Sequence, residues 1–154
     1  ISNKIYVDKE SYHLSGSEKT IAVDGFPADC VRVGVALFDT EFDLVIAGVN
    51  AGFNISSDHL YSGTVAAARE AVVLGIPGLA LSTHYIDSPN LEYKIGLVLE
   101  EVITSKKYLN FKLLNVNIPR AEKVKVIKAA PNWVTKALAG VTFVILFPIV
   151  VITL

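Results

Sequence analysis

Cysteine and an excess of charge of either sign are what this sequence lacks. The single cysteine, Cys30, excludes an internal disulfide and is typical of a reducing compartment, so we expect a cytoplasmic protein. Lysine and arginine number 14 against 15 aspartates and glutamates, which leaves a net charge of −1. This balance supplies no basic face for a nucleic-acid polymer or an anionic membrane. A signal peptide is also missing, and the residues after Ile1 resemble the middle of a domain, so we expect a segment upstream.

Helix and strand patterns alternate along most of the chain. The 154 residues, 52% of them hydrophobic, are enough for one core. A helix is predicted to start at Pro27, and apolar strands at 44–47, 78–82 and 111–119 are separated by helical patterns. This order predicts an α/β fold, a three-layer, mostly parallel, Rossmann-like sheet with helices on both faces. We assign it to residues 1–128 and separate a divergent apolar tail, residues 129–154.

The arrangement is organised around residues 43–75. An apolar strand leads through a polar loop to Ser62, Gly63 and Thr64, which begin an alanine-rich helix with no acidic side chain in its first turn. Backbone N–H groups and the positive end of the helix dipole could bind an anion there, most plausibly a phosphate. Ordinary capping of the helix by Ser62 is the alternative interpretation. At the carboxyl ends of parallel strands, where this corner falls, ligands commonly bind.

Four motif blocks of this region resemble the SurE family. They read DGFPADC, then DLVIAGVNAGFN, then YSGTVAAARE, then GIPGLALS, and they are followed by NVNIP, so that the resemblance covers about residues 21–119. Four blocks in one order and spacing are far more specific than a lone glycine motif. The resemblance implies a SurE-like fold and a metal-dependent phosphatase of nucleoside monophosphates, a 5′-nucleotidase.

Site residues follow from the resemblance position by position. It implies that Asn50 is a metal ligand and that Ser62, Gly63 and Thr64 contact the phosphate, with Asn54 a weaker candidate for phosphate binding. The implied metal is a divalent cation, Mg²⁺ or Mn²⁺, the implied substrate a nucleoside monophosphate or another phosphomonoester, and the implied assembly a homo-oligomer. An asparagine carbonyl suits a hard cation that also contacts phosphate. No catalytic residue is assigned.

The chain departs from the family at the metal site. Family members carry two adjacent aspartates after their first strand, and no Asp-Asp pair occurs here. The family's metal-binding serine also has no secure counterpart. One neutral Asn50 cannot hold a hard divalent ion, since such sites depend on carboxylate charge. We therefore expect metal binding to be weak or absent and phosphatase activity to be undetectable in this chain alone.

Two hypotheses from different classes remain. One is an enzyme fragment that lacks the first strand with its acidic pair, and the other is a non-catalytic phosphate-binding relic or interaction module. An upstream in-frame strand ending in Asp-Asp would favour the enzyme. A dinucleotide-binding domain is less well supported, because GVNAGFN lacks the three-glycine fingerprint. His59 could donate a proton to a bound phosphate, although a structural role in the loop is the favoured interpretation.

The apolar end of the chain allows three interpretations. Residues 137–154 carry no charge, and eighteen such residues reach the lower limit for a membrane-spanning helix. Two strands, 141–146 and 149–154, broken at Pro148, are the competing interpretation, because β-branched residues dominate. An altered, aberrant tail is the third. We favour strands or an aberrant tail over a membrane span.

Overall fold

The computed structural model describes residues 5–9, 17, 19–84, 89–120 and 147–152. Eleven elements follow one another in this part of the chain. The strands are β1 (Tyr6–Asp8), β2 (Ala22–Asp24), β3 (Leu44–Ala51), β4 (Gly78–Thr83), β5 (Leu113–Ile118) and β6 (Phe147–Ile152). The helices are α1 (Pro27–Leu37), α2 (Asp58–Tyr61), α3 (Gly63–Val73), α4 (Leu91–Ser105) and α5 (Lys107–Phe111).

The central sheet has the order β5-β4-β3-β6, while β1 and β2 form a separate antiparallel pair. Strands β3, β4 and β5 run parallel, with Val45 opposite Gly78 and Gly78 opposite Leu113. Helices connect these parallel strands, as βαβ units require. The mostly parallel α/β sheet predicted from the sequence is therefore confirmed.

Helices cover both faces of this sheet. Helices α1 and α3 pack on one face through a core cluster of small residues, among them Val31, Ala47, Ala68 and Ala80. On the other face α4 and α5 contribute Val98, Val102 and Tyr108 to a core with larger side chains, including Leu44, Leu79 and Ile118. This gives the three layers that the alternating pattern predicts.

Local sequence explains where α1 and α3 begin and end. Pro27 opens α1, and the Asp29 carboxylate accepts a hydrogen bond from the Phe26 amide at 2.9 Å, as a helix-start acid should. Ser62 caps α3 by accepting from the Val65 amide at 3.2 Å. After α3 the chain turns at Gly75, whose φ of +87° favours glycine.

The described part of the tail is a strand and not a helix, but this strand begins before the position predicted for it. Residues 147–152 form strand β6, which pairs antiparallel with β3. The predicted break at Pro148 is wrong, because Pro148 lies inside this strand. The pairing shifts register there, between Ile46 opposite Val150 and Gly48 opposite Phe147. A register shift on an outer strand tolerates a residue without an N–H group.

Other tail predictions lie outside the described residues. These are the first tail strand, 141–146, and the boundary between 128 and 129. Among the helices that the structure describes, none has the length and hydropathy needed to cross a membrane.

Candidate functional site

The buried polar side chains of the described residues gather at one edge of the sheet. Because β3, β4 and β5 are parallel, their carboxyl ends meet there, with Ala51 opposite Thr83 and Thr83 opposite Ile118. Ser82 and Thr83 are fully buried at the end of β4. The remaining buried polar side chains are Asn54, Asn117 and Lys94, the last of which donates to the carbonyls of Pro119 and Arg120 just past β5.

The corner predicted to bind phosphate lies at the start of α3. Ser62 ends α2 through a hydrogen bond from its amide to the Asp58 carbonyl, at 2.9 Å, and then caps α3. The first carbonyl–amide bond of α3 joins Ser62 O to Ala66 N at 2.9 Å. The amides of Gly63 and Thr64 come before Ala66 in the chain, in the first turn of α3, where backbone N–H groups have no carbonyl partner within the helix.

Space and charge around this corner suit an anion. Gly63 is exposed and Thr64 is half-buried. A Cβ atom on Gly63 would approach Pro27 Cγ to 3.3 Å, so the corner is packed against the start of α1. The first turn of α3 contains no acidic residue. The Ser62 hydroxyl, although it accepts from Val65, keeps its own proton for donation.

Asn50 lies at the same edge as this corner. It is the penultimate residue of β3, and its Nδ2 donates to the Gly52 carbonyl at 2.9 Å. This bond leaves the side-chain oxygen as the atom that could coordinate a cation. Helix α3 connects β3 to the parallel strand β4, so it must begin at the edge where β3 ends. The structure thus brings Asn50 and Ser62–Thr64 to one edge, while their ligand roles stay predictions.

Between them runs the site loop, residues 52–61, which crosses the ends of the neighbouring strands. The Gly52 amide donates to the Thr83 carbonyl at 2.7 Å. The Phe53 ring meets the His84 ring edge-on, with centroids 5.5 Å apart. The loop therefore lies across β4 before it turns back toward α3.

Asn54 anchors this loop from within. It is buried, its Nδ2 donates to Ser82 Oγ at 2.7 Å, and its amide donates to Asn117 Oδ1 at 3.1 Å. Its carbonyl accepts from the side-chain amides of Asn115 and Asn117, each at 3.4 Å. Its role as a phosphate ligand stays a prediction, but its backbone groups and its Nδ2 atom fix the loop.

The sequence analysis did not identify Asn115, whose side chain contacts His59. His59 belongs to the short helix α2 rather than to irregular loop, and it is half-buried. Its Nε2 lies 2.8 Å from Asn115 Nδ2. The signal that could have identified this contact is the pair of asparagines in LLNVNI, polar residues two apart in an otherwise apolar strand.

The implied Mg²⁺ or Mn²⁺ does not fit the described residues by themselves. They contain no group of three or more His, Cys, Asp or Glu side chains that could hold a metal ion. Asn50 offers one neutral oxygen, and hard divalent cations depend on carboxylate ligands.

Cys30 lies in α1 and is half-buried. Burial, with a smaller contribution from the Asp29 carboxylate, raises the pKa of its thiol. A raised pKa lowers the thiolate fraction at neutral pH, so this side chain is less reactive than a free cysteine.

Comparison with known proteins gives a consistent result. The family model described as survival protein SurE matches residues 1–138. A 5′-nucleotidase SurE from Petrotoga mobilis is 46% identical over 103 residues, which are 64% of this chain and 41% of that protein. One from Pelotomaculum thermopropionicum is 46% identical over 113 residues, 72% of this chain and 44% of that protein.

A solved structure agrees in fold as well. The crystal structure of the SurE protein from Aquifex aeolicus superposes with a TM-score of 0.63 at 36% identity, over 83% of this chain and 52% of the other. The chain thus spans less than half the length of the two curated relatives and about half of the solved chain.

Proposed function

The chain belongs to the SurE family, and from this premise we propose that its site serves the hydrolysis of phosphomonoesters, with a nucleoside monophosphate as substrate. The curated relatives named above are called 5′-nucleotidases. One structural observation carries the proposal: the capped start of α3, free of acidic residues, opens at the sheet edge where β3 ends, and Asn50 is the penultimate residue of that strand. That is the position in which an α/β fold commonly binds a phosphate group.

Each residue of the corner has a defined task in this proposal. The amides of Gly63 and Thr64 donate to phosphate oxygens, and the Ser62 hydroxyl adds a third donor. These donors hold the phosphoryl group and stabilise the negative charge that shifts during its transfer. Asn50 contributes its side-chain oxygen at the same edge. Asn54 contributes by positioning, since its side chain donates to Ser82.

We further propose that these 154 residues bind phosphate without turning the ester over. The sequence has no Asp-Asp pair, and the described residues contain no carboxylate cluster. The reaction in the family requires the charge of a divalent metal, Mg²⁺ or Mn²⁺, which one neutral oxygen cannot hold. The alternative, a non-catalytic relic that binds a phosphate or nucleotide, or a truncated interaction module, is favoured by the same lack of a carboxylate cluster among the described residues.

Two measurements on the same protein test the proposal. Calorimetry with inorganic phosphate and with adenosine 5′-monophosphate should show binding, and substitution of Thr64 by proline, which removes one corner amide, should weaken it. Release of inorganic phosphate from the nucleotide, with Mg²⁺ or Mn²⁺ present, should equal that of buffer. Absence of binding would refute the phosphate corner, and turnover above buffer would refute the claim of inactivity.

Partners and location complete the proposal. We expect a homo-oligomer in the cytoplasm, with a small phosphomonoester rather than a nucleic-acid polymer as ligand. The near-neutral charge of the chain supports the last point, because polymer binding depends on a basic surface. Sedimentation analysis of the purified chain tests the oligomeric state.

A further inference from the structure

One side chain contacts the site loop near both of its ends. Asn115, on β5, places its Nδ2 atom 3.4 Å from the carbonyl oxygen of Asn54, two residues into the loop. The same Nδ2 lies 2.8 Å from Nε2 of His59, two residues before the loop ends. The loop joins Asn50 to Ser62, so a single side chain on a rigid strand contacts it close to both candidate ligand groups.

The contact with His59 does not depend on how the amide group is oriented. As placed, Asn115 donates through Nδ2 to an unprotonated ring nitrogen, and its Oδ1, a buried atom, has no hydrogen-bond partner among the described residues. Turned by half a rotation, Oδ1 would accept from an Nε2–H group instead. Either orientation pairs Asn115 with His59, but only the orientation as placed also donates to the Asn54 carbonyl, because two acceptor oxygens would face each other after the turn.

The neighbouring contacts of Ser82 and Asn117 hold the first end of the loop. Ser82 and Asn117 both bind Asn54, through its side chain, amide or carbonyl. The second end depends on α2, whose Asp58 carbonyl accepts from the Ser62 amide at 2.9 Å. Helix α2 has only four residues, too few to be stable without an external contact, and His59–Asn115 supplies one.

From this arrangement we infer that Asn115 is a positioning residue that sets the spacing between Asn50 and the corner Ser62–Thr64. It acts through Asn54 at one end of the loop and through His59 and α2 at the other. Only the purpose of this spacing, joint contact with one phosphoryl group, rests on the proposed function. The mechanical claim, that one side chain couples the two ends, stands separately.

Amide hydrogen exchange on the 154-residue chain tests the mechanical claim. Asn115→Leu keeps the volume of the side chain and removes its hydrogen bonds. We expect exchange at the amides of both Asn54 and Ser62 to accelerate by about two- to tenfold, the effect of losing one or two hydrogen bonds. Amides in the middle of β3 should keep their protection. Unchanged exchange at Ser62 would overturn the inference.

Two matched variants separate the ends of the loop. Asn117→Leu removes the two hydrogen bonds between Asn117 and Asn54 and should accelerate exchange at Asn54 but not at Ser62. His59→Phe keeps a ring, removes its nitrogens, and should accelerate exchange at Ser62 but not at Asn54. These variants also test the inference if Asn115→Leu fails to fold. Faster exchange at both amides, Asn54 and Ser62, in either His59→Phe or Asn117→Leu would show that the two ends of the loop are not held by separate contacts, and it would contradict the inference. Asn110→Ala, on α5, is the remote control.

Affinity for inorganic phosphate, measured by calorimetry well below the melting temperature, tests the purpose of the spacing. Asn115→Leu should weaken binding by about two- to tenfold, whereas Asn110→Ala should not change it. A chain that binds no phosphate in its unaltered form would refute the proposed function and leave the exchange experiment to decide the inference. Unaltered affinity in a variant whose loop ends both exchange faster would overturn the positioning role.

Discussion

Replacement of Gly78 by alanine should destabilise this protein more than its single methyl group suggests. Gly78 opens β4, pairs with β3 on one side and β5 on the other, and is buried. A Cβ atom built on it would lie 2.1 Å from the carbonyl oxygen of Ala68, in α3. The obstacle is helix backbone, which has no rotamer to change, so helix and strand would have to separate.

The size of the effect follows from this distance. Relief of the contact requires α3 to withdraw by about 1 Å, which opens the interface between its alanines and the sheet. Insertion of a methyl group into a packed core costs about 1–3 kcal/mol, and a contact with backbone belongs at the upper end. We therefore expect a loss of about 3 kcal/mol, a large share of the roughly 5–15 kcal/mol that stabilises a domain.

Urea denaturation followed by circular dichroism measures this loss. With a slope of about 2 kcal/mol per molar urea, the midpoint should fall by about 1.5 M. Gly96→Ala is the matched control, because Gly96 lies within α4 and a Cβ there meets no atom within 4 Å. In that helix interior the same substitution should stabilise by about 0.5–1 kcal/mol. Equal midpoints for the Gly78 variant and the unaltered chain would refute the reasoning.

Three further predictions concern single side chains. Ser62→Ala removes the cap of α3 and should cost about 1 kcal/mol in urea denaturation, with weaker phosphate binding by calorimetry; an unchanged midpoint would contradict the cap. Lys94→Ala should cost about 2–4 kcal/mol, and Lys94→Met, which keeps the buried stem, clearly less; equal losses in denaturation would show that packing of the stem contributes nothing. At pH 8 Cys30 should react with a thiol reagent more slowly in the native chain than in urea, because burial raises its pKa, and native stability should decrease as pH rises through the ordinary cysteine range. Equal reaction rates in the two states would contradict that shift.

Periodicity was sufficient to predict the frame of the fold. Three predicted elements are present in the structure: the strand that begins at Leu44, the alanine-rich helix after Ser62 and the helix that begins at Pro27. Their lengths and their order along the chain all favour the same fold. Such elements are predictable because burial on both faces of a parallel sheet leaves a continuous apolar run. The same argument places Asn50 and Ser62 at one edge of the sheet.

Elements without a periodic pattern could not be predicted. Helix α2 has four residues, Asp58–Tyr61, none of them buried, so it shows no apolar stripe. The burial of Lys94 also has no signal in the sequence pattern: this charged side chain is buried and donates to two carbonyls after β5. The partner of Glu70 could not be predicted from local pattern either. It is Arg32, whose Nε lies 2.6 Å from the Glu70 carboxylate but 38 positions earlier in the sequence.

The polarity of one sheet edge connects the fold to the proposed function. The five buried polar or charged side chains of the described residues lie near the carboxyl ends of β4 and β5. Ser82, Thr83 and Asn117 belong to these strand ends, Asn54 bonds to Ser82 and Asn117, and Lys94 donates to carbonyls just beyond β5. Stability alone does not require them, since a buried hydrogen-bonded pair contributes little more than apolar side chains of the same shape. What Ser82 and Asn117 do provide is partners for Asn54, in a loop that must cross the sheet edge without a strand of its own. A loop held in this way keeps Asn50 and the start of α3 in fixed register, and pre-organised donors of that kind are what phosphoryl transfer demands of a protein. The polar edge therefore agrees with the phosphate site proposed above.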